Sequence, residues 1–193
     1  ITDQGSPVVS DPGYVVSKAV IDSCFNVIAL PGATAFVPAI TSSGIAPSPF
    51  LFYGFLQTKE SKIKRELMRL KKLPYTLIFY EAPHRIHNTL EYMLEIFGNR
   101  NISIHREISK LHEEICRGTI QELLAIVDSL KGEFVLIVDG CHDEVDYSDL
   151  SVLEHVKLYL EDGMSEMEAI KLVARERGVA KSIIYKEYHD QKQ

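Results

Sequence analysis

Two hydrophobic patterns alternate along most of this chain. Continuous runs of β-forming residues predict buried strands, and apolar positions three and four apart predict helices. The predicted strands occupy 26–30, 76–81, 101–105 and 134–138, with a further apolar run at 50–56. The predicted helices occupy about 14–23, 59–72, 83–97 and 119–129, and another ends near Ser43. Strands that alternate with helices indicate an α/β protein, and we expect largely parallel pairing.

The pattern changes near the end of the chain. After position 149 only helical spacing remains, at 150–160, 165–177 and 181–188. Ser165 and Glu168 have the spacing of a capping box, which predicts the start of a helix. The last two helices, joined around Gly178, could form a helix-turn-helix that reads nucleic acid or a hairpin that closes a core.

Three parts are predicted along the chain. A proline-punctuated linker at 45–49 separates residues 1–47, expected to be the carboxyl part of an N-terminal α/β domain, from a second α/β domain at 48–146. Residues 147–193 form a helical C-terminal tail. Because the chain opens at Ile1 without Met, as though at the end of a strand, we expect it to be the carboxyl part of a longer protein.

Polar groups follow the predicted strands at their carboxyl ends. The run at 76–81 ends in Glu81, and Pro83, His84 and Arg85 come directly after it. In open α/β sheets ligands bind outside the carboxyl ends of strands, which makes these residues candidates for chemistry. A solvated strand-to-helix corner is the alternative. The strand at 101–105 is likewise followed by a crowded polar stretch, which comprises Arg106, Glu107, Ser109, Lys110, His112, Glu113 and Glu114.

Two loops near the start of the chain are built from small and turn-forming residues. The loop from Asp3 to Gly13 is rich in Gly, Pro, Ser and Asp, so its backbone turns sharply and exposes N–H groups. The turn Pro31–Ala35 follows a predicted strand, and its small side chains would let a ligand approach the backbone. A plain β–α turn is the alternative interpretation of the second loop.

Composition and charge narrow the class of protein. With 46% hydrophobic and 25% charged residues, the composition is that of a globular protein, without a run of roughly 20 apolar residues that would span a bilayer. The net charge is −6, yet the stretch from Lys59 to Lys72 carries +5. Such a basic helix on an acidic protein could contact phosphates or simply be solvated. The three cysteines lack metal-ligand spacing, so we expect no metal and a reducing cytoplasm.

Five ordered motifs together resemble a known family. They are the loop at 3–13, the turn Pro31-Gly32-Ala33-Thr34-Ala35, the segment Phe79-Tyr80-Glu81-Ala82-Pro83-His84-Arg85, the polar stretch 106–114, and Gly132-Glu133-Phe134-Val135-Leu136. The chain is similar over nearly its whole length to ribosomal RNA small subunit methyltransferase I, a ribose 2′-O-methyltransferase of the tetrapyrrole methylase superfamily. Two positions depart from the family pattern. Ser109 stands where the family usually has Thr, and Gln4 stands where it usually has Ala.

The resemblance implies both a cofactor and a reaction. S-adenosylmethionine would bind in a cleft between two α/β domains, and its methyl group would pass to a cytidine ribose of small-subunit ribosomal RNA. The resemblance also implies a cytoplasmic homodimer with no membrane contact. The residues that would approach the cofactor are Asp3, Gly5, Ser6, Pro7, Gly32, Ala33, Thr34, Ala35, Leu77, Glu133 and Phe134.

The chemistry needs few special groups, because the sulfonium of this cofactor already carries a reactive methyl group. We expect Glu81 or His84 to accept the proton of the ribose hydroxyl, with Arg85 beside them as a third catalytic residue. The residues expected to contact RNA are Arg106, Glu107, Lys110, His112, Glu113, Lys62, Arg65 and Arg69. This assignment requires the turns near positions 3, 33, 81, 107 and 133 to lie along one rim.

Two other functions remain open from the sequence. The chain could be a methyltransferase of the same superfamily that acts on a tetrapyrrole or another small molecule, although its basic helix favours a polyanion. It could also be an inactive RNA-binding fragment.

Overall fold

The computed structural model describes residues 6–142, 150–161 and 163–191. The chain divides into two compact units, Ile1–His142 and Asp143–Gln193. Each unit is described by itself below. The three-part division predicted from the sequence, with a boundary within 45–49, stays a prediction.

The first unit contains one sheet and the helices around it. Its elements in chain order are α1 (Tyr14–Asp22), α2 (Phe36–Ser43), β1 (Phe50–Phe55), α3 (Glu60–Leu70), β2 (Thr76–Glu81), α4 (Ile86–Phe97), β3 (Asn101–Arg106), β4 (Glu114–Thr119), α5 (Ile120–Leu124), a short 3-10 turn (Val127–Ser129) and β5 (Phe134–Val138). The α/β class predicted from the sequence is confirmed.

The sheet has five strands in the order β1-β2-β5-β3-β4. Only β1 and β2 pair in parallel, whereas β5 pairs antiparallel with both β2 and β3, and β4 pairs antiparallel with β3. The prediction of largely parallel pairing was therefore wrong. Strands β1, β2 and β3 do run in one direction, as strand-helix-strand units should, but β5 inserts between β2 and β3 in the opposite direction.

Each face of the sheet is covered by different helices. Alternate residues of a strand point to opposite faces, so Leu77 and Phe79 of β2 join the main core with α3 and α4. Ile78 points the other way and packs with α2 in a smaller core, together with Val135 and Ile137 of β5. Because both faces are covered, β2 and β5 read as continuous apolar runs rather than alternating ones.

Two local predictions in this unit were wrong. Residues 26–30 form no strand: Ile28 and Leu30 are each 81% exposed, and no strand among the described residues pairs with them. The helix predicted at 119–129 is only α5, followed by the short 3-10 turn. The capping box of Thr119 and Glu122 that begins α5 is confirmed.

The second unit consists of α6 (Val152–Glu161), α7 (Glu166–Glu176) and α8 (Lys181–Gln191). The capping box of Ser165 and Glu168 that begins α7 is confirmed. The three helices share a core of their own, to which Val156, Val173 and Tyr188 each contribute a buried side chain. No helix in the described part of the chain is long and apolar enough to cross a membrane.

Candidate functional site

The polar turns come together at one end of the sheet, where β2 and β3 finish and β4 and β5 begin. Glu81 at the end of β2 is paired with Phe134 at the start of β5, and Phe134 is paired in turn with Arg106 at the end of β3. Arg106 is also paired with Glu114 at the start of β4. We call this end of the sheet, with the loops 82–85, 107–113 and 131–133, the polar rim. The expectation that the turns near 81, 107 and 133 lie together is confirmed.

Glu107 organises the centre of the polar rim. Its Oε1 atom accepts a hydrogen bond from the backbone N–H of Glu133 at 3.0 Å. Lys110 Nζ lies 3.3 Å from this Oε1 atom and 3.3 Å from Oε2 of the Glu133 side chain. The backbone N–H of Glu133 and the charge of Lys110 both lower the pKa of Glu107. Gly132 completes the arrangement, because a Cβ atom there would lie 2.4 Å from Glu107 Oε1.

Three further hydrogen bonds tie the loops of the polar rim together. Arg106 Nε donates to Glu114 Oε2 at 2.6 Å, and its Nη1 atom donates to the Lys131 carbonyl at 3.1 Å. The backbone N–H of Ser109 donates to Glu113 Oε2 at 2.8 Å. The charged residues predicted on this loop therefore hold it in shape, and their side chains stay partly exposed.

Glu81 is buried beneath the polar rim rather than presented on it. Its side chain is 1% exposed and points to the face of the main core. Oε2 accepts a hydrogen bond from Thr89 Oγ1 at 2.7 Å, and Oε1 accepts one from the backbone N–H of Ala82 at 2.9 Å. Arg85 Nε lies 3.4 Å from the same Oε1 atom. Both oxygens are thus already engaged.

Arg85 links Glu81 to the loop that follows β1. Its Nη2 atom donates to the carbonyl oxygens of Leu56 and Gln57, at 3.1 and 2.6 Å. His84, immediately before it, is exposed, and its ring makes no hydrogen bond to any residue that the structure describes. Of the three residues predicted to be catalytic, His84 is the one whose polar atoms face solvent at the polar rim.

A second loop cluster lies beside the start of α2. The backbone N–H of Ser6 donates to the Ala33 carbonyl at 2.9 Å, so the first described residues lie against the small-residue turn. Gly32 permits this approach, because a Cβ atom there would lie 2.9 Å from Ser6 Oγ. Gly54 of β1, at a positive φ of 79°, similarly accommodates Ser10, whose Oγ would be 2.8 Å from an added Cβ.

Tyr80 and Ile108 join this cluster to the polar rim. The Tyr80 hydroxyl accepts hydrogen bonds from the backbone of Ala35 and Phe36, which lower its pKa, while burial has the larger effect and raises it. Ile108, next to Glu107, packs against the smaller core together with Phe36 and Tyr80. The turn at 31–36 therefore meets the polar rim on the α2 face of the sheet.

Some predicted site residues lie elsewhere. Leu77 is fully buried in the main core, four residues before the end of β2, and the Phe134 side chain also packs in that core. Glu133 and His112, by contrast, are exposed and belong to the polar rim. Asp3 and Gly5 lie outside the described residues. The three other predicted RNA contacts lie on the outer face of α3: Lys62, Arg65 and Arg69.

His105 is a buried polar residue that no motif in the sequence indicates. It is 1% exposed in β3, and its Nε2 atom lies 2.9 Å from Ser103 Oγ. Burial, and secondarily the charge of Arg117, lower the pKa of His105 to about 4, so the ring is neutral near pH 7. The only sequence signal of the pair formed by Ser103 and His105 is their spacing of two residues in a strand, which places both side chains on the same face.

Comparison with known proteins defines the class. A family model described as Tetrapyrrole (Corrin/Porphyrin) Methylases matches residues 1–124. The chain belongs to the tetrapyrrole methylase family. It is therefore an S-adenosylmethionine-dependent methyltransferase, as the sequence predicts.

Curated relatives place it more narrowly in that class. The chain is 45% identical over 197 residues to Ribosomal RNA small subunit methyltransferase I of Bacillus subtilis (strain 168), covering 98% of this chain and 68% of the relative. The protein of the same name from Synechocystis sp. is 34% identical over 190 residues, covering 96% of this chain and 68% of the relative. Within the methylases, the family it belongs to is thus ribosomal RNA small subunit methyltransferase I.

Solved structures show the same fold at low sequence identity. The methyltransferase CobJ matches with a TM-score of 0.56 and 18% identity, over 71% of this chain and 62% of that chain. Uroporphyrin-III C-methyl transferase from Thermus thermophilus, complexed with S-adenyl homocysteine, matches with a TM-score of 0.50 and 17% identity, over 70% and 62% of the two chains. These likenesses confirm the tetrapyrrole-methylase-like fold predicted from the sequence.

The residues at the small-residue turn fit a cofactor of this kind. Ala33 and Ala35 are exposed and have no long side chain to cover their backbone groups, and the half-buried Thr34 lies between them. Small exposed residues let a ligand such as S-adenosylmethionine approach this turn closely, and the carbonyl groups of Ala33 and Ala35 already accept hydrogen bonds from Ser6 and Ala39. Ser6, held against Ala33, places a hydroxyl at the same turn.

Proposed function

We propose that this protein transfers the methyl group of S-adenosylmethionine to the ribose 2′-hydroxyl of a cytidine in small-subunit ribosomal RNA. The observation that carries the proposal is the meeting of the turn at 31–36 with the polar rim on one face of the sheet, through Tyr80 and Ile108. A cofactor held at that turn would lie next to charged groups suited to RNA. The names of the curated relatives support the choice of substrate.

The cofactor, when bound, supplies an electrophilic methyl group, so the chain has two tasks. It must hold the ribose oxygen in line with that methyl group, and it must accept the hydroxyl proton as the oxygen attacks. We assign proton acceptance to His84, because its ring is exposed at the polar rim and a neutral imidazole has a nitrogen that accepts a proton.

Glu81 has a positioning role in this proposal. The sequence allowed it to be the base, but its oxygens accept from Thr89 and Ala82 and it lies beneath the surface. Through Arg85 it orders the loop at Leu56 and Gln57. We propose that this arrangement sets the orientation of His84 on the connecting turn.

RNA contact at the polar rim falls to the partly exposed cations there. Arg106 and Lys110 each contact a carboxylate but keep 23% and 37% of their side chains exposed. Cations with remaining donors can bind a phosphate oxygen while their ion pairs hold them in place. The neighbouring Glu107, His112 and Glu113 complete the proposed substrate surface.

The test is single-turnover methylation of small-subunit ribosomal RNA by the full chain, with nucleoside digestion to identify the product. We expect 2′-O-methylcytidine, and a rate at least about 10²-fold lower in His84→Gln. His142→Gln is the matched control, since His142 is an exposed histidine at the other end of the sheet.

Two results would contradict the assignment. A methyl group on the base, or on a small molecule but not on RNA, would refute the proposed substrate. An unchanged rate in His84→Gln would remove it as the base.

We also propose a cytoplasmic homodimer. Several apolar side chains between residues 14 and 30 are more than half exposed, and apolar surface of this kind is typical of interfaces. Sedimentation equilibrium across a range of protein concentrations tests the dimer, and a monomer at all concentrations would exclude it.

A further inference from the structure

The outer face of α3 and the turn after it carry four exposed cations. Ile63, Leu67 and Leu70 are buried against the main core, so the opposite face of the helix is turned to solvent. Residues spaced three and four apart lie above one another on a helix, which places Lys62, Arg65 and Arg69 in one line, and Lys72 follows in the turn after the helix. We call these four cations the α3 stripe.

The acidic residues of the helix lie on its two flanks. Glu60 pairs with Lys64 at 3.2 Å, and Lys64 also reaches Glu95 of α4 at 2.8 Å. Glu66 lies on the other flank, four residues from Lys62 and three from Arg69, and its Oε2 atom accepts a hydrogen bond from the backbone N–H of Gln57 at 3.0 Å. With one acid beside four cations, the outward face keeps a net positive charge.

The four cations are distinguished from most others in the first unit by what they do not contact. None of the four makes a hydrogen bond or ion pair through its side chain with any residue that the structure describes. Seven other cations of this unit each hold a carboxylate or a backbone carbonyl: Lys18, Lys64, Arg85, Arg100, Arg106, Lys110 and Arg117. Four like charges close together repel one another, and a polyanion that binds them relieves this repulsion.

The stripe leads away from the polar rim. Helix α3 begins just after the loop that Arg85 holds at Leu56 and Gln57, and it ends shortly before β2 begins at the opposite end of the sheet. From Lys62 to Arg69 the helix rises by about 10 Å. The first cation of the stripe therefore lies nearest the proposed catalytic end and the last lies farthest from it.

We propose that the α3 stripe binds the sugar-phosphate backbone of the substrate RNA and guides the strand toward the polar rim. The inference rests on the proposed function for the identity of the polyanion. Lysine and arginine bind phosphate oxygens without reading bases, so the stripe adds affinity and direction but no sequence preference. A membrane surface fits less well, because the core takes the apolar face of α3 and leaves only Met68 exposed beside the stripe.

The experiment compares two variants of the full chain that each lose two cations spaced four apart. Arg65→Gln with Arg69→Gln removes the centre of the stripe. Lys171→Gln with Arg175→Gln is the matched control on α7, where both side chains are exposed. Affinity for a single-stranded small-subunit ribosomal RNA fragment is measured by fluorescence anisotropy from 50 to 500 mM salt, with unfolding curves to confirm that both variants fold.

We expect the stripe variant to bind RNA more weakly and with a shallower salt dependence. Each phosphate contact on a single strand contributes roughly 0.7 to the slope of log K against log salt, so two lost contacts lower it by about 1.4. When the salt concentration is lowered tenfold, the affinity of the stripe variant for RNA should therefore rise about 25-fold less than the affinity of the wild type. The control should keep the wild-type slope, and cofactor binding should not change in either variant.

Three outcomes would overturn the inference. An unchanged slope in Arg65→Gln with Arg69→Gln would leave an acidic protein as the partner of the stripe. Equal losses in both variants would indicate general charge attraction, and a loss only in Lys171→Gln with Arg175→Gln would assign RNA binding to α7 and α8. Methyl transfer by the wild type with an unchanged slope would refute the stripe alone, whereas RNA binding through the stripe without methyl transfer would refute the proposed function alone.

Discussion

Thr89 donates its hydroxyl hydrogen to the buried Glu81 carboxylate at 2.7 Å, from α4 to the end of β2. A buried carboxylate needs several such donors, because burial removes the water that would otherwise solvate it. The contact connects the helix that covers the main core to the strand that ends at the polar rim. Glu81 therefore links the stability of the sheet to the shape of the proposed site.

Thr89→Val should destabilise the protein. It keeps the shape of the side chain but removes one donor from a buried charge, which costs about 1–3 kcal/mol in the free energy of unfolding. Urea denaturation measures the change. Thr58→Val is the control, since Thr58 is exposed before α3 and should change stability by less than about 0.5 kcal/mol. Equal stability of Thr89→Val and wild type would show that Glu81 does not depend on this hydroxyl.

Gly132→Ala should disrupt the polar rim through a steric conflict with Glu107. The added Cβ would lie 2.4 Å from Glu107 Oε1, and the φ of 104° is already unfavourable for alanine. A double-mutant cycle separates the two effects. Removing the carboxylate in Glu107→Ala should relieve the conflict, so Gly132→Ala should cost less free energy of unfolding in that background.

Strictly additive costs in this cycle would contradict the steric explanation. They would indicate that the backbone conformation alone makes glycine necessary at position 132.

His105 should make stability depend on pH between about 4 and 6.5. Burial and the Arg117 charge lower its folded pKa to about 4, below the unfolded value of about 6.5. Its contribution is therefore fully present above pH 6.5 and is lost as pH falls toward 4, by about 3 kcal/mol in total. Urea unfolding across this range should show a smaller pH dependence in His105→Gln.

The control is a histidine on the surface: His112→Gln changes an exposed side chain and leaves the buried pair of His105 and Ser103 intact. If His105→Gln retained the wild-type dependence on pH, another titrating group would have to be its source.

Tyr80→Phe should weaken cofactor binding. The hydroxyl holds the backbone of Ala35 and Phe36, so its loss frees the turn proposed to contact the cofactor. A net hydrogen bond is worth about 1 kcal/mol, which corresponds to roughly fivefold in affinity. Isothermal titration with S-adenosylhomocysteine measures this. Tyr75→Phe, at an exposed tyrosine before β2, should bind like the wild type; the same affinity in Tyr80→Phe would exclude a role for this anchor.

Local sequence signals predicted the elements that depend on neighbours in the chain. The capping boxes at Thr119 and Ser165 were predicted because their partners lie only three residues away. The strand ending in Glu81 was predicted because both of its faces are covered, which makes it a continuous apolar run. The five ordered motifs identified the family and, with it, the enzyme class and the cofactor.

Pairing between distant segments was not predictable in the same way. Strand β4 contains Glu114, Arg117 and Gly118, so its composition has no strand pattern, and it forms because β3 offers unpaired backbone groups. The insertion of β5 between β2 and β3 depends on contacts across more than fifty residues. Residues 26–30 show the converse, since an apolar β-forming run forms no strand without a neighbour.

At the candidate site, the sequence by itself determined which chemical groups are available: the carboxylate of Glu81, the imidazole of His84 and the cations of α3. Only the tertiary structure decided which of them remain accessible. Thr89 and Arg85 engage Glu81 inside the protein, while Glu66 accepts a hydrogen bond from the backbone of Gln57 on the flank of α3, and the α3 stripe keeps a net positive charge. The physical reason is that a polar side chain satisfies its hydrogen bonds with whichever groups the fold brings within about 3 Å, and several of those groups are far away in the sequence.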